Sequence, residues 1–181
     1  RFADITWGEV KGLITFSEQE VQLYAVSGKI SGQELIASGK ILHPMGEPEL
    51  QIQLKSSGID PRVIDSTLPF SGKVGIEANL SGEWKVLHAE GKLRVDDGNI
   101  SGWSLAGFST RFAGRRNGGD WTGSVTDGQG TLAGEALRDL DFSILQQQGQ
   151  LRLQALSARI GSGSVAANGA LGPEALDLNV T

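Results

Sequence analysis

The chain has 181 residues, a net charge of −5 at pH 7, 39% apolar residues, 6% aromatics, 26 glycines and no cysteine. The acidic balance argues against recognition of a phosphate backbone, which needs a basic face, and against electrostatic capture by an anionic membrane. The missing cysteines exclude a disulfide-stapled scaffold and thiolate metal sites. No apolar run reaches the roughly 18 residues of a membrane-spanning helix.

Two-residue alternation dominates what remains, and side chains alternate between faces only on a strand. Ala3, Ile5 and Trp7 alternate with polar neighbours, Leu13 to Phe16 is a short apolar run, and Val21, Leu23 and Ala25 alternate again. Leu35 to Ala37 and Ile41 to Leu42 continue the series. Pro44 and Pro48 then break it, since proline cannot donate to a ladder. Leu50, Ile52 and Leu54 form one more strand.

The segment from Gly58 to Pro69 has no period of two. Asp60 can cap a helix with Pro61 at its first position, and Pro69 stops it, which predicts about two turns over 60–68. The predicted organisation is a β-repeat segment over 1–57, a Pro-bounded connector over 58–69, and a second β-repeat segment over 70–181. Both segments belong to one continuous domain.

After the connector the alternation is cleaner. Val74, Ile76, Ala78 and Leu80 alternate with Lys73, Glu77 and Asn79, and Leu87 to Val95 follows. Asp96-Asp97-Gly98-Asn99 predicts a hairpin turn, because Asp-Gly favours positive φ. Phe108, Thr110 and Phe112 make a strand that ends in a Gly114 to Asp120 loop. Trp121 to Val125 runs to a break at Asp127-Gly128. Leu132, Leu140 to Ile144, Leu151 to Ala155, Ala158 to Ile160, Val165 to Leu171 and Leu176 to Val180 complete the series, with Gln146 to Gly149 as a hairpin tip. Short connections predict antiparallel neighbours. Lys73, Glu77, Lys92, Arg94, Asp96, Asp139, Asp141, Arg152 and Gln154 define a wet face, which excludes a doubly covered parallel sheet. The fold is all-β: a sandwich, a closed barrel, or one long sheet folded on itself.

No catalytic constellation is present, so no enzymatic activity is expected, and no cofactor or metal. His43 and His88 lack the spacing and companions of a metal site. No Gly-x-Ser-x-Gly elbow occurs. Gly128-Gln129-Gly130 and Gly161-Ser162-Gly163 do not open helices, as a phosphate loop must. Asp139 and Asp141 fall on the wet face, where carboxylates serve solubility and edge protection. Trp7, Trp84, Trp103 and Trp121 are too scattered for a base-stacking platform.

Residues 148–172 read G-x-L-x-L-x-x-L, a small-residue turn, then G-x-V-x-x-x-G-x-L-G. This resembles the repeat of the AsmA-like superfamily, and within it is most similar to the TamB branch, the inner-membrane component of the translocation and assembly module. Gly58 to Pro69, Gly72-Lys73-Val74, Leu80-Ser81-Gly82 and Gly91-Lys92-Leu93 resemble the spacing of that branch. The likeness covers most of 58–172. One departure is Gly82, followed by Glu83-Trp84-Lys85 without the usual nearby proline.

The resemblance implies a long antiparallel sheet curled into an open, taco-like groove with an apolar interior. It implies a fragment of a periplasmic repeat region, with an inner-membrane anchor elsewhere in a longer chain. It also implies an Omp85-type (TamA-like) outer-membrane partner, and lipid conduction or assembly of outer-membrane proteins and autotransporters as the activity. The expected groove lining is Val74, Ile76, Leu80, Leu93, Val95, Leu132, Leu140, Phe142, Ile144, Leu151, Leu153, Ile160, Val165 and Leu171. Small inward residues (Ala78, Ala155, Ala167, Gly169) leave room for a phospholipid acyl chain, which gains roughly 0.8 kcal/mol per buried CH₂. The rival expectation is a structural β-solenoid or passenger-type fragment with a dry core and parallel coils.

Overall fold

The structure, a computed structural model, describes residues 7–30, 32–63, 68–148, 150–171 and 176–180; for residues 7, 30, 170, 171 and 176–180 it describes the backbone alone. Alternation becomes one twelve-stranded sheet whose spatial order is the sequence order. The strands are β1 (Trp7–Phe16), β2 (Glu20–Ile30), β3 (Gln33–Leu42), β4 (Glu49–Ile59), β5 (Phe70–Glu83) and β6 (Val86–Ile100). They continue as β7 (Trp103–Asn117), β8 (Asp120–Leu132), β9 (Glu135–Gln147), β10 (Gln150–Ile160), β11 (Gly163–Leu171) and β12 (Leu176–Val180). Every neighbouring pair is antiparallel. The sheet does not close into a barrel, and among the described residues β1 and β12 are its edges. Parallel solenoid coils are thereby excluded, and the curled open sheet stands.

The predicted helix over 60–68 is replaced by a single 3₁₀ turn, Pro61–Val63; residues 64–67 lie outside the described residues. Asp60 still caps it: Oδ1 accepts from the Arg62 backbone N–H at 3.0 Å, and Oδ2 from the guanidinium Nη2 at 2.6 Å. The side-chain bond from Arg62 holds the Asp60 carboxyl below its ordinary range. The sign follows from a depressed folded pKa. The pair's stabilisation is complete above the unfolded value of about 3.9 and is lost as pH falls through the lower folded value. An NMR titration should place Asp60 below that value, and Arg62→Gln should return it there. An unchanged Asp60 titration in the variant would refute the assignment.

The hairpins use the backbone the turn demands. Ser101-Gly102 (φ 50° and 92°) joins β6 to β7, and Ala133-Gly134 (52° and 87°) joins β8 to β9. Two successive positive φ values match the right-handed twist of the flanking strands. The expected turn at Asp96–Asn99 is therefore four residues early: β6 runs through it to Ile100, and the Asn99 carboxamide oxygen accepts from Gly102 N–H at 2.7 Å. Likewise β8 continues through Asp127-Gly128, and β7 continues past Phe112 to Asn117.

These Asp-Gly sites are bulges. Two residues of β6, Asp96 and Asp97, oppose Lys73 where the β5–β6 register shifts. Asp127 (φ 56°), Asp139 (φ 51°) and Gly107 (φ 57°) mark similar shifts in β8, β9 and β7. An extra residue flips the side-chain parity beyond it. That is why Leu105 and Phe108, Val125 and Gly128, and Leu137 and Leu140 share one face despite odd spacing. It also corrects one expectation: Ala155 faces solvent, and Leu156, past the β10 shift, takes the inward place opposite Phe142 and Ala167.

With bulges counted, one face is apolar across the sheet; it is called inner here. One of its rows runs Ala37, Leu54, Ala78, Gly91, Phe112, Val125, Phe142, Leu156, Ala167. Glycine is required at Gly91, where a Cβ would overlap the Glu77 carbonyl oxygen and meet the Phe112 ring at 2.9 Å. Phe112 thus packs over the bare backbone that Gly91 leaves.

Candidate functional site: the inner face of the sheet

The inner face has two unlike ends. Toward the β6–β7, β8–β9 and β10–β11 hairpins, Val95 and Leu105 are 4% exposed, and Leu137 and Ala158 are 5% exposed. A side chain on a flat single sheet keeps one side open to water. Such burial needs a cover, and among the described residues the sheet itself supplies it, with the Pro61–Val63 turn against β5. The sheet therefore curls at this end. Val74, Val95, Leu105, Leu137 and Ala158 form one cluster, and Phe70, Ile76, Leu93, Phe108, Leu132, Leu140, Ile160 and Val165 pack against it.

Toward the β5–β6, β7–β8 and β9–β10 hairpins the face is looser. Its row runs Gly39, Ile52, Leu80, Ala89, Gly114, Gly123, Ile144, Leu153, Gly169. Ile52 is buried; Leu80, Ala89, Gly114, Gly123, Ile144 and Leu153 are half-buried. Ala89, Gly114 and Gly123 lie side by side on β6, β7 and β8 between the larger Leu80 and Ile144; the Trp121 ring and the Ile144 side chain lean against Gly123, and no side chain stands over Gly114. Beyond this row, nearer the hairpins, stand Arg116, Trp121, Gln146 and Leu151 on successive strands.

Thirteen of the fourteen expected lining residues lie on this face. Val74 and Val95 are in the packed cluster; Ile76, Leu93, Leu132, Leu140, Ile160 and Val165 lean on it. Leu80, Phe142, Ile144, Leu151 and Leu153 occupy the looser rows. The Leu171 backbone pairs with Leu151 in β11, and its side chain lies outside the described residues. Sequence reasoning misses Leu105, Leu137 and Leu156, because bulges set their parity, and Arg116, because it ends β7 early. Two polar side chains, Ser56 and Thr110, are buried on the inner face at 6% and 5% exposure. Each is satisfied: Ser56 Oγ donates to Glu34 O at 2.6 Å and Thr110 Oγ1 to Thr126 O at 2.8 Å.

The outer face carries the charges where alternation placed them. Lys55 and Glu77 pair at 2.8 Å, Arg94 and Asp96 at 2.7 Å, Arg111 and Asp127 at 3.7 Å, and Arg159 pairs with Asp139. The Lys55 bond holds the Glu77 carboxyl below its usual value. A depression of about 650 Å³ opens among Lys55, Glu77, Lys92, Arg94 and Arg111. Its charges largely neutralise one another, and exposed pairs of this kind contribute about 0–1 kcal/mol each. They solubilise the face rather than build a reaction centre. His43 lies in the β3–β4 turn and His88 on the outer face opposite Ser81 and Arg115. Among the described residues no three His, Cys, Asp or Glu side chains converge as metal ligands.

Fold and site together define an open-edged, single-sheet all-β protein with one apolar face, packed at one end and loose at the other. No family model matches the chain, and neither a curated protein nor a solved structure matches it.

Proposed function

We propose that this chain is a non-enzymatic segment whose inner face receives acyl chains, in the manner of an AsmA-like, TamB-type lipid conduit between two membranes. The carrying observation is the continuous apolar row system across β3–β11, covered by no second layer among the described residues and with no side chain over Gly114. A dry sandwich interlocks two faces about 10 Å apart and leaves no such opening. Apolar contact without fixed polar partners suits a cargo that must slide. The periplasmic setting, an inner-membrane anchor elsewhere, an Omp85-type partner and a role in outer-membrane protein assembly follow from the repeat resemblance and belong to this proposal.

Native mass spectrometry of the purified chain should show co-purifying phospholipid or fatty acid. A fluorescent acyl probe should bind and be displaced by them. A chain that carries no lipid and binds no probe would overturn the proposal. The packed end favours one second reading, a structural sheet with a dry core, and that reading predicts the same negative result.

A further inference from the structure

We propose that Arg116 fixes the head group of an anionic amphiphile, so that the inner face takes acyl chains ending in a phosphate or carboxylate in preference to uncharged lipids. The inference rests on the acyl-chain reading above and adds the polarity and the place of the head. Arg116 follows Phe112 and Gly114 by twos on β7 and stands opposite Trp121, which stands opposite Gln146. Parity therefore puts it on the inner face, at the loose end. Along the inner rows of β3–β10, among the described residues, only two positions are charged. Glu135 is at the packed end, where side chains already fill the space. Arg116 is at the rim, two residues beyond the bare backbone at Gly114.

The local bonding leaves Arg116 available. Its Nε donates to Gly118 O at 3.0 Å, and its Cζ lies 5.9 Å from the centre of the Trp84 ring. These contacts hold the guanidinium plane at the rim. Among the described residues no carboxylate pairs with it. Among the described residues nothing bonds the two Nη groups, which can grip an oxyanion in a fork, the geometry guanidinium offers to phosphate and carboxylate alike. A tail leaving that head passes over Gly114 and meets Ile144 and Leu153. A purely structural Arg116, stacked on Trp84, would have no preference among head groups.

The test compares palmitate, palmitoyl lysophosphatidate and uncharged monopalmitoylglycerol, each below its micelle concentration, on the full chain and on Arg116→Gln and Arg116→Lys. Tryptophan fluorescence and calorimetry read the binding. The anionic probes should bind about fivefold more tightly than the neutral one, as expected for an ion pair at a wet rim. Arg116→Gln should abolish that preference and leave neutral binding unchanged; Arg116→Lys should keep most of it. The stronger of the two anionic probes names the head as phosphate or carboxylate. An undiminished preference in Arg116→Gln, or none in the parent chain, overturns the head-group assignment and leaves acyl binding standing. Failure of all three probes, the neutral one included, overturns the acyl-chain reading itself and this inference with it. Arg116 is exposed, so its variants should melt where the parent does.

Discussion

Leu105→Ala is expected to cost about 3 kcal/mol, against about 1 kcal/mol for Leu153→Ala. Leu105 is 4% exposed and sits in the cluster with Val95 and Leu137, opposite Leu132 across the β7–β8 ladder. Removing a fully buried isobutyl group loses its transfer energy and leaves a cavity, together about 2.7–5 kcal/mol in well-packed cores. A curled single sheet has fewer neighbours than a globular core and can relax toward the gap, which places Leu105 near the lower bound. Leu153 is half-buried in the loose row. It forfeits only part of the roughly 1.5–3 kcal/mol that full burial of a leucine supplies, and leaves no closed cavity. In a chain of this size the first loss lowers the melting temperature by roughly 6–12 °C. Because each strand hydrogen-bonds only to its sequence neighbours among the described residues, unfolding can proceed in parts. Hydrogen exchange should therefore accompany the melt. The Leu105 variant should lose protection first in β6 to β9. Equal losses at the two positions would mean a uniformly packed face, and the distinction between its ends would fall.

That distinction is invisible in the pattern. Val74-x-Ile76 and Leu151-x-Leu153 read alike as period-two aliphatics, yet one pair belongs to the packed cluster and the other to the loose rows. Curling is a property of the whole sheet, set by accumulated twist and bulges, and no local window encodes it. What the window does encode is face. Every charged residue assigned to the wet side, from Lys73 to Arg152, is exposed. The errors cluster where one local preference serves two structures. Asp-Gly tolerates positive φ in a hairpin and equally in a bulge, so Asp97-Gly98 and Asp127-Gly128 looked like chain reversals. Alternation carried straight through a bulge also misassigns parity downstream, which is how Ala155 took the place of Leu156. The same early ending of β7 hid Arg116, whose position only the register with Trp121 makes plain.

The second large effect separates a conduit from a core by charge. Leu153→Glu should fold and lose acyl-chain binding by more than about tenfold, whereas Leu105→Glu and Leu137→Glu should unfold the chain. Leu105 and Leu137 are 4% and 5% exposed within the packed cluster. There a carboxylate finds no cation and no water, and burying it unpaired costs several kcal/mol, a large share of the stability of any domain. Leu153 lies opposite Ile144 and Gly169 on the loose row. Leu153 is only half-buried, so a carboxylate there can keep its hydration at the open face and folding survives. An acyl chain then has to displace that water without replacing its hydrogen bonds, and each CH₂ kept from the wall forfeits roughly 0.8 kcal/mol. Two lost methylenes already exceed the 1.4 kcal/mol that equals a factor of ten. Circular dichroism and melting sort the folded variants from the unfolded; probe binding is then read on Leu153→Glu, with Leu153→Gln separating charge from shape. A folded Leu153→Glu that binds acyl chains as the parent does would sink the conduit reading. An unfolded one would show that the loose rows are core after all, held dry by a closer approach of the two arms of the sheet.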